Sequence, residues 1–353
     1  MRYLLAIVFL FYMAIDAIGQ NNACNKLGVW LWYLEITGYQ SHDLLAEKLK
    51  SLEIKRVYVK VADGKVNTTI WPELTDKSVV DAYKKKGIEV WAWSYNYPGN
   101  DSLQAEALYL AIKTGYQGYV VDVETEFDNK SVELRNIFSS FEKAKRRAIN
   151  DQIAPDDFKL YATTWGNPKD HNFKIAEIDP FVDGFMPQTY VENWGNSYIN
   201  NISKWIEEGN KEYRQLGATK PIHHIISTGK GILSASQINN FFDNSGGESS
   251  IWRIPGADVP QSIWNTWQNI NWTKDFCTSS GTSGQDETAI FSPNPADNEL
   301  KITNGSGPYF IYDFSGRAIK HGIYKHNIDI SSLIPGLYVV RLKSGKGYRF
   351  IKN

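Results

Sequence analysis

Three acidic residues alternate along one short β-rich segment, GYVVDVETE at residues 118–126. Because successive side chains of a strand point to opposite faces, Asp122, Glu124 and Glu126 are expected to share one face. Neighbouring negative charge raises the pKa of a carboxyl group toward its protonated form. A protonated Glu124 above a charged Asp122 suits glycoside hydrolysis, in which a carboxyl protonates the leaving oxygen. The alternative is that Asp122 and Glu124 form buried ion pairs with Lys60 or at a helix N-terminus.

A second alternating segment, MPQTY at residues 186–190, places Gln188 and Tyr190 on one face, which we expect to point inward. These side chains could bind a sugar, although a tyrosine hydrogen-bonded inside the core is an equal alternative. Aromatic residues make up 14% of the chain, and sugars stack on such flat apolar faces. The further candidates for substrate contact follow predicted strands and are Lys60, Trp93, Tyr95, Glu126, Trp165 and Trp194. The Trp93 and Tyr95 stripe could equally face the helices.

These candidates need a scaffold, and residues 27–272 alternate short apolar β-rich runs with amphipathic helical stretches. This pattern predicts a parallel sheet with helices outside it. The predicted strands are 28–34, 56–62, 87–95, 118–124, 158–163, 184–190, 222–227 and a short one near Ile251. Eight of them favour an α/β fold, a (β/α)8 TIM-like barrel, whose catalytic groups lie at the C-terminal strand ends. An open doubly wound sheet is the alternative, but no glycine-rich phosphate loop follows the first strand.

The fourth and sixth predicted strands carry a family resemblance. Asp122 and Glu124 match the last Asp and the Glu of the fourth-strand motif of glycoside hydrolase family 18, while Gln117 and Val120 stand where that motif has its other two aspartates. This departure suits family 25 better, whose fourth strand also ends in an Asp-x-Glu pair. The segment 186–190 resembles the Met-x-Tyr region of family 18. The resemblance implies Glu124 as general acid, Asp122 as its assistant and Tyr190 as a hydrogen-bond donor to the reacting sugar.

The N-terminus has the features of a signal peptide. Arg2 precedes an apolar run over residues 3–15, and small residues follow at Ala17 and Gly19. We expect cleavage before Gln20, so that residues 1–19 are removed, residues 20–277 form the barrel and no membrane span is retained. The two cysteines, Cys24 and Cys277, bracket the barrel, and in an oxidising compartment we expect a disulfide between them; two free thiols are the alternative.

A polar Gly/Ser-rich segment, residues 278–289, predicts a flexible linker, and short strands separated by Gly-rich turns over 290–353 predict a small all-β sandwich. The runs SPNPADNELKI, YDFSGRAI and IDISSLIPGLYVVRL occur there in order. They resemble the type A C-terminal sorting domain of the type IX secretion system of Bacteroidota-type bacteria. That resemblance implies the type IX machinery as a partner, passage through the outer membrane, and a secreted or cell-surface location. A carbohydrate-binding sandwich is the physical alternative.

Composition restricts the function classes. With 38 basic against 39 acidic residues, the chain has no positive excess to attract nucleic acid. The six histidines and two cysteines show no metal-ligand spacing, so we expect neither a metal nor a cofactor. The leading hypothesis is a secreted glycosidase acting on a β-linked glycan that contains N-acetylhexosamine, such as peptidoglycan or chitin. The alternative is a surface protein that binds glycan or mediates adhesion without catalysis.

Overall fold

The computed structural model describes residues 26–65, 69–274, 276, 291–302, 307–313, 318–342 and 347–353. Its contacts divide the chain into two compact units, Met1–Cys277 and Thr278–Asn353. Among the described helices, none combines the length and the apolar character needed to cross a membrane. The predicted signal peptide, both cysteines and the linker lie outside the described residues.

The first unit is a closed barrel of eight parallel strands, in sequential order around the ring. Its strands are β1 Gly28–Leu31, β2 Arg56–Asp63, β3 Glu89–Tyr95, β4 Gly118–Asp122, β5 Lys159–Trp165, β6 Gly184–Gln188, β7 Ile225–Ser227 and β8 Ser250–Trp252. The ring closes where β1 pairs with β8, with Gly28 beside Ser250. The expected (β/α)8 barrel is therefore confirmed.

Helices connect the strands around the outside of the barrel. They are α1 His42–Ser51, α2 Lys77–Lys84, α3 Asp101–Thr114, α4 Ser131–Asn150, α5 Val191–Trp194, α6 Asn196–Ile199, α7 Ile202–Gln215, α8 Ala235–Ser245 and α9 Ile263–Trp267. Short 3-10 helices lie at Glu35–Thr37, Pro72–Thr75, Thr125–Phe127, Ile175–Glu177 and Asp179–Phe181. Two of these follow β1 and β4 directly and shape the loops at the C-terminal end of the barrel.

Side chains of each strand alternate between two cores. Tyr119, Val121 and Val123 point outward and belong to the core between the sheet and the helices, where Tyr119 packs on Phe141 of α4. Val120 points inward. The inward cluster that fills the barrel is unusually aromatic and consists of Trp30, Tyr58, Trp91, Trp93, Val120, Tyr161, Met186 and Ile225. Because Val120 faces inward, the same alternation directs Asp122 and Glu124 into the barrel mouth.

A buried arginine closes the N-terminal end of the barrel. Arg56 is 1% exposed, forms ion pairs with Glu89 at 2.9 Å and Glu248 at 3.5 Å, and lies 4.4 Å from the ring centre of Trp91. Two carboxylates and an aromatic face compensate for the removal of this cation from water. Arg56 and its partners therefore pack the barrel interior at the start of β2.

The second unit is built of two antiparallel sheets. One contains β9 Phe291–Ser292, β10 Glu299–Ile302 and β13 Asn327–Asp329, and the other contains β11 Gly307–Tyr312, β12 Ala318–Tyr324, β14 Gly336–Leu342 and β15 Gly347–Lys352. Residues of both sheets, among them Leu300, Ile328 and Val340, form one buried core. The all-β architecture predicted for this region is confirmed.

Candidate active site

Asp122 and Glu124 lie at the mouth of the barrel, where β4 ends. Asp122 is the last residue of β4 and pairs in register with Tyr95 of β3 and Thr163 of β5. It is 5% exposed, whereas Glu124, just beyond the strand, is partly exposed. Glu126 lies on the following 3-10 helix and accepts a hydrogen bond of 2.7 Å from the Tyr95 hydroxyl. The three carboxylates predicted to share a face thus do converge; Asp122 is buried, whereas Glu124 and Glu126 are partly exposed.

Gln188, the last residue of β6, joins the two central carboxylates. Its side-chain nitrogen Nε2 donates to Asp122 Oδ1 at 3.2 Å and to Glu124 Oε1 at 2.8 Å. Since both bonds share one nitrogen, the two acceptor oxygens lie no farther apart than the bonds laid end to end, about 6 Å. Both hydrogens of the amide are used, so the glutamine fixes the two carboxyl groups relative to each other.

The electrostatics of the pair favour the protonated state. Burial raises the pKa of Asp122 well above its usual range, and the charge of Glu124 raises it further. Burial also raises the pKa of Glu124, the hydrogen bond from Gln188 lowers it, and the charge of Glu126 raises it. Lys60 contributes a smaller opposing effect at both groups. Each carboxyl therefore holds its proton to a higher pH than it would in water, as for carboxyl groups that share a buried site.

A cavity of about 340 Å³ lies over these groups. Its lining consists of Trp30, Asp122, Glu124, Thr163, Trp165, Gln188, Tyr190, Ile225 and Trp252. Burial raises the pKa of Tyr190 well above its usual value, and both carboxylates add to the effect. No described residue hydrogen-bonds the Tyr190 hydroxyl, so the group is available as a donor to a ligand. We call this space the mouth cavity; its size and mixed lining are typical of a small-ligand site.

One wall of the mouth cavity is a fixed tryptophan. The indole of Trp165, the last residue of β5, stacks on the imidazole of His171 with centroids 3.8 Å apart and an angle of 6°. Asp128 binds both rings, accepting from Trp165 Nε1 at 3.1 Å and contacting His171 Nδ1 at 3.1 Å. His171 thus covers one face of Trp165 and Asp128 holds its edge, and the tryptophan offers an aromatic surface to the mouth cavity that it lines.

Lys60 lies near the mouth, and its ammonium group uses two of its three hydrogens within the protein. It is 4% exposed, and its ammonium group donates to the Tyr33 hydroxyl and to Asp63, each at 3.2 Å. Five aromatic ring centres lie 5.0–5.9 Å from its nitrogen, those of Trp32, Tyr33, Trp71, Trp93 and Tyr95. Its ion pair is made with Asp63 and not with Asp122 or Glu124, which differs from the ion-pair alternative considered from sequence.

Three further residues predicted to contact substrate, Trp93, Tyr95 and Trp194, are not among the residues that line the mouth cavity. Trp93 faces the barrel interior, is 1% exposed, and donates to Leu31 O at 3.1 Å, so it supports the site from below. Tyr95 reaches the site through its bond to Glu126. Trp194 is partly exposed on α5, packs on Tyr198, and is not among the residues that line the mouth cavity.

Trp252 and Trp30 were not predicted as site residues. Trp252 ends β8 and lines the mouth cavity, with Trp30, Trp93 and Trp32 rings 6.1, 5.5 and 6.5 Å away. The sequence did carry a signal for Trp252, because a tryptophan ends the last predicted strand just as candidate residues end the fourth and sixth strands.

Within the described residues, no three potential metal ligands lie together.

Comparison with known families concerns the second unit. Residues 290–353 match the family described as "Secretion system C-terminal sorting domain". The expected type IX sorting domain is therefore confirmed, and it directs the chain to secretion by the type IX route. Among curated protein sequences, none matches the chain significantly.

Solved structures with a similar fold include glycoside hydrolases. An endo-β-1,4-mannanase from Thermotoga petrophila is 12% identical, with 94% of this chain and 98% of that chain covered and a TM-score of 0.53. A class V chitinase from Nicotiana tobaccum is also 12% identical, with 71% of this chain and all of that chain covered and a TM-score of 0.48. At this level of identity the mannanase likeness shows the fold, a TIM barrel.

Proposed function

We propose that the barrel is a glycoside hydrolase that acts outside the cell on a β-linked glycan containing N-acetylhexosamine, such as peptidoglycan or chitin. The observation that carries the proposal is the pair formed by Glu124 and Asp122 at the mouth of the barrel. One carboxyl is partly exposed beside a cavity, the other is buried behind it, and burial raises the pKa of both. Perturbed carboxyls in a cleft at the C-terminal end of such a barrel are typical of acid/base catalysis.

In this proposal Glu124 is the general acid. Its proton passes to the glycosidic oxygen as the bond from that oxygen to the anomeric carbon breaks; a water molecule later adds its oxygen to the anomeric carbon and returns a proton to Glu124. Asp122 stays behind it as the electrostatic partner, or orients the acetamido group of the sugar. Tyr190 donates a hydrogen bond to the reacting sugar, and Gln188 holds the carboxyl pair and contacts the same ring.

The spacing of the carboxyls supports retention or assistance by the substrate. Inverting glycosidases place their carboxyl groups roughly 6.5–9.5 Å apart to leave room for a water molecule. The oxygens bonded to Gln188 are within about 6 Å of each other, and Asp122 is 5% exposed. A buried Asp122 is poorly placed to attack the sugar itself. The geometry therefore favours the acetamido oxygen of the substrate as the internal nucleophile, oriented by Asp122.

Replacing Glu124 by glutamine tests the assignment. Glu124→Gln retains the shape and the bond to Gln188 but has no proton to donate, so hydrolysis should fall by about 100-fold or more. The measurement is the release of reducing ends from peptidoglycan and from chitin oligosaccharides. The matched control is Glu207→Gln, which changes an exposed carboxylate on α7 and should leave turnover unchanged.

The outcomes separate the two functional hypotheses. Unchanged turnover in a folded Glu124→Gln protein would refute the general-acid assignment. Binding of the same glycans by the unmodified protein with no product, even on long incubation, would select the non-catalytic glycan-binding hypothesis instead.

A further inference from the structure

A second cavity, of about 400 Å³, lies beside the mouth cavity, between the C-terminal ends of β1 and β2 and the start of α2. We call it the side cavity. Its lining consists of Leu31, Trp32, Tyr33, Leu34, Glu35, His42, Val59, Lys60, Trp71, Glu73, Leu74 and Val79. None of its residues except Lys60 was a sequence candidate. Protein interiors are close-packed, so an open space of this size lined by large apolar side chains needs an explanation.

The buried part of the lining is mainly aliphatic, and its carboxylates lie at the exposed rim. Leu31, Val59, Leu74 and Val79 are each 1–8% exposed and supply aliphatic surface. Glu35 and Glu73 are exposed, so they lie at the rim. Tyr33 and Trp71 form a stacked pair with centroids 5.6 Å apart and an angle of 28°.

Two polar side chains of the inner wall, Lys60 and His42, already form hydrogen bonds within the protein. Lys60 donates to the Tyr33 hydroxyl and to Asp63, and His42 Nδ1 is bonded to the Tyr83 hydroxyl at 2.8 Å. Against the aliphatic side chains Leu31, Val59, Leu74 and Val79, the hydroxyl groups of a sugar ring would have no partners, and each unpaired hydroxyl costs binding energy. The chemistry that fits is an apolar group, because it needs no partner and gains by leaving water.

The two cavities share a wall. Trp32 lines the side cavity and Trp252 lines the mouth cavity, and their rings are 6.5 Å apart. Lys60 lines the side cavity, while its charge acts on Asp122 and Glu124. The side cavity therefore lies next to the mouth cavity, across the neighbouring rings of Trp32 and Trp252.

We propose that the side cavity is a second binding site, which takes an apolar substituent carried by the glycan whose sugar occupies the mouth cavity. Binding of the sugar in the mouth cavity rests on the proposed function. Binding of the apolar substituent in the side cavity rests on the lining of that cavity alone. The ligand class is thus an amphiphilic glycoside or an acylated glycan and not a plain oligosaccharide.

The experiment compares two probes on the full chain by calorimetric titration. The probes are n-octyl 1-thio-N-acetyl-β-D-glucosaminide, used below its micelle concentration, and free N-acetylglucosamine; the sulfur linkage resists hydrolysis. Burial of even two methylene groups is worth about tenfold in affinity, so the octyl probe should bind at least tenfold more tightly. Equal affinities for the two probes would overturn the proposal.

Two variants locate the effect. Val79→Phe fills the side cavity and Trp71→Ala removes its aromatic wall, and each should abolish the preference for the octyl probe. The control is Trp205→Ala, which removes an equally half-buried tryptophan stacked on Tyr198 at 4.4 Å, outside both cavities, and should keep the preference. A preference retained in a folded Val79→Phe or Trp71→Ala protein would overturn the proposal.

The experiments distinguish failure of the side-cavity proposal from failure of the proposed glycosidase function. Neither probe is cleaved in these titrations, so an octyl preference that Val79→Phe removes supports the side cavity even where Glu124→Gln leaves hydrolysis unchanged. Conversely, loss of hydrolysis in Glu124→Gln without any octyl preference supports the enzyme and rejects the side cavity as a site.

Discussion

Lys60 places a buried positive charge near two carboxyl groups whose pKa is raised by burial. Its aromatic surroundings and its bonds to Tyr33 and Asp63 hold the ammonium group in place, so it acts on Asp122 and Glu124 through its field and not by contact. A positive charge favours the ionised form of a carboxyl and lowers its pKa. Lys60 therefore limits how far burial can raise the pKa of the pair.

Removing this charge should shift the pH dependence of hydrolysis. In Lys60→Met the pKa of Glu124 rises, because the opposing positive charge is gone, and the acid stays protonated to higher pH. The alkaline limb of the kcat profile should move to higher pH. Lys60→Arg keeps the charge and should keep the limb near its original position. A limb that moves to lower pH in Lys60→Met, or moves equally in Lys60→Arg, would contradict this role.

Asp122 should reduce stability at neutral pH. Its folded-state pKa is raised well above the unfolded value, so ionisation costs more in the folded protein than in the unfolded chain. The free energy of unfolding should therefore fall as pH rises from the unfolded pKa, about 3.9, toward the higher folded value. Asp122→Asn removes that cost and should be more stable by on the order of 1 kcal/mol at pH 7, with little difference near pH 3.

Urea denaturation across this pH range measures the effect. Asp157→Asn, which changes an exposed aspartate near the start of β5, is the control and should show no such trend. A stability difference for Asp122→Asn that is constant with pH, or that shrinks as pH rises, would show that the buried carboxyl does not titrate as inferred.

Strand alternation was enough to place Asp122 and Glu124 in the barrel mouth, because a period of two leaves only two faces and the outer one is filled by Tyr119, Val121 and Val123. The bridge from Gln188 was not predictable. It depends on the lateral distance between β4 and β6 across the mouth, which no local pattern encodes. The partner of Lys60 was also missed, since Asp63 is three residues away in sequence and competes with the carboxyls across the barrel.

At the level of elements, long strands were easier to predict than short ones. β2, β3 and β5 have seven or eight residues and were predicted close to their observed bounds. β8 has only three residues and carries Trp252 into the mouth cavity, so the uncertainty in its position hid a site residue. The side cavity could not be predicted from the sequence. It forms where the loops that follow β1 and β2 pack against α2, and packing between separate elements leaves no periodic signal in the sequence.

The start of β4 depends on the absence of a side chain. A Cβ atom built on Gly118 would overlap the ring of Trp91, which fills the barrel interior on the neighbouring strand. Gly118→Ala should therefore lower the free energy of unfolding by about 1–3 kcal/mol, since extra volume in a packed interior forces its neighbours to move. Thermal or urea unfolding measures the change.

Gly229→Ala is the control for this substitution. A Cβ atom there would meet Ser227 and Glu192 at 3.6 and 3.8 Å, which is ordinary contact, so stability should change little. Equal stability of the Gly118→Ala protein and the unmodified protein would mean that the barrel interior yields more easily than its aromatic packing indicates.

At the scale of the whole molecule, the two units have separate hydrophobic cores. The barrel core is formed by residues between Leu27 and Trp272, and the core of the second unit by residues between Ala296 and Phe350. A core of its own lets a unit fold without the rest of the chain. The two units can therefore have separate roles: the barrel carries the proposed chemistry, and the second unit carries the secretion signal.

The second unit should therefore direct an unrelated protein out of the cell. A reporter with a signal peptide at its N-terminus and residues 275–353 at its C-terminus, expressed in a host with a type IX system, should be found at the cell surface or in the medium. The sorting information belongs to the matched region 290–353, so a reporter that ends with residues 275–289 alone is the control and should stay in the periplasm. Fractionation followed by reporter assay measures both. Retention of the full fusion in the periplasm would mean that export needs the barrel as well, and that the core shared by Leu300, Ile328 and Val340 is not sufficient to present the signal.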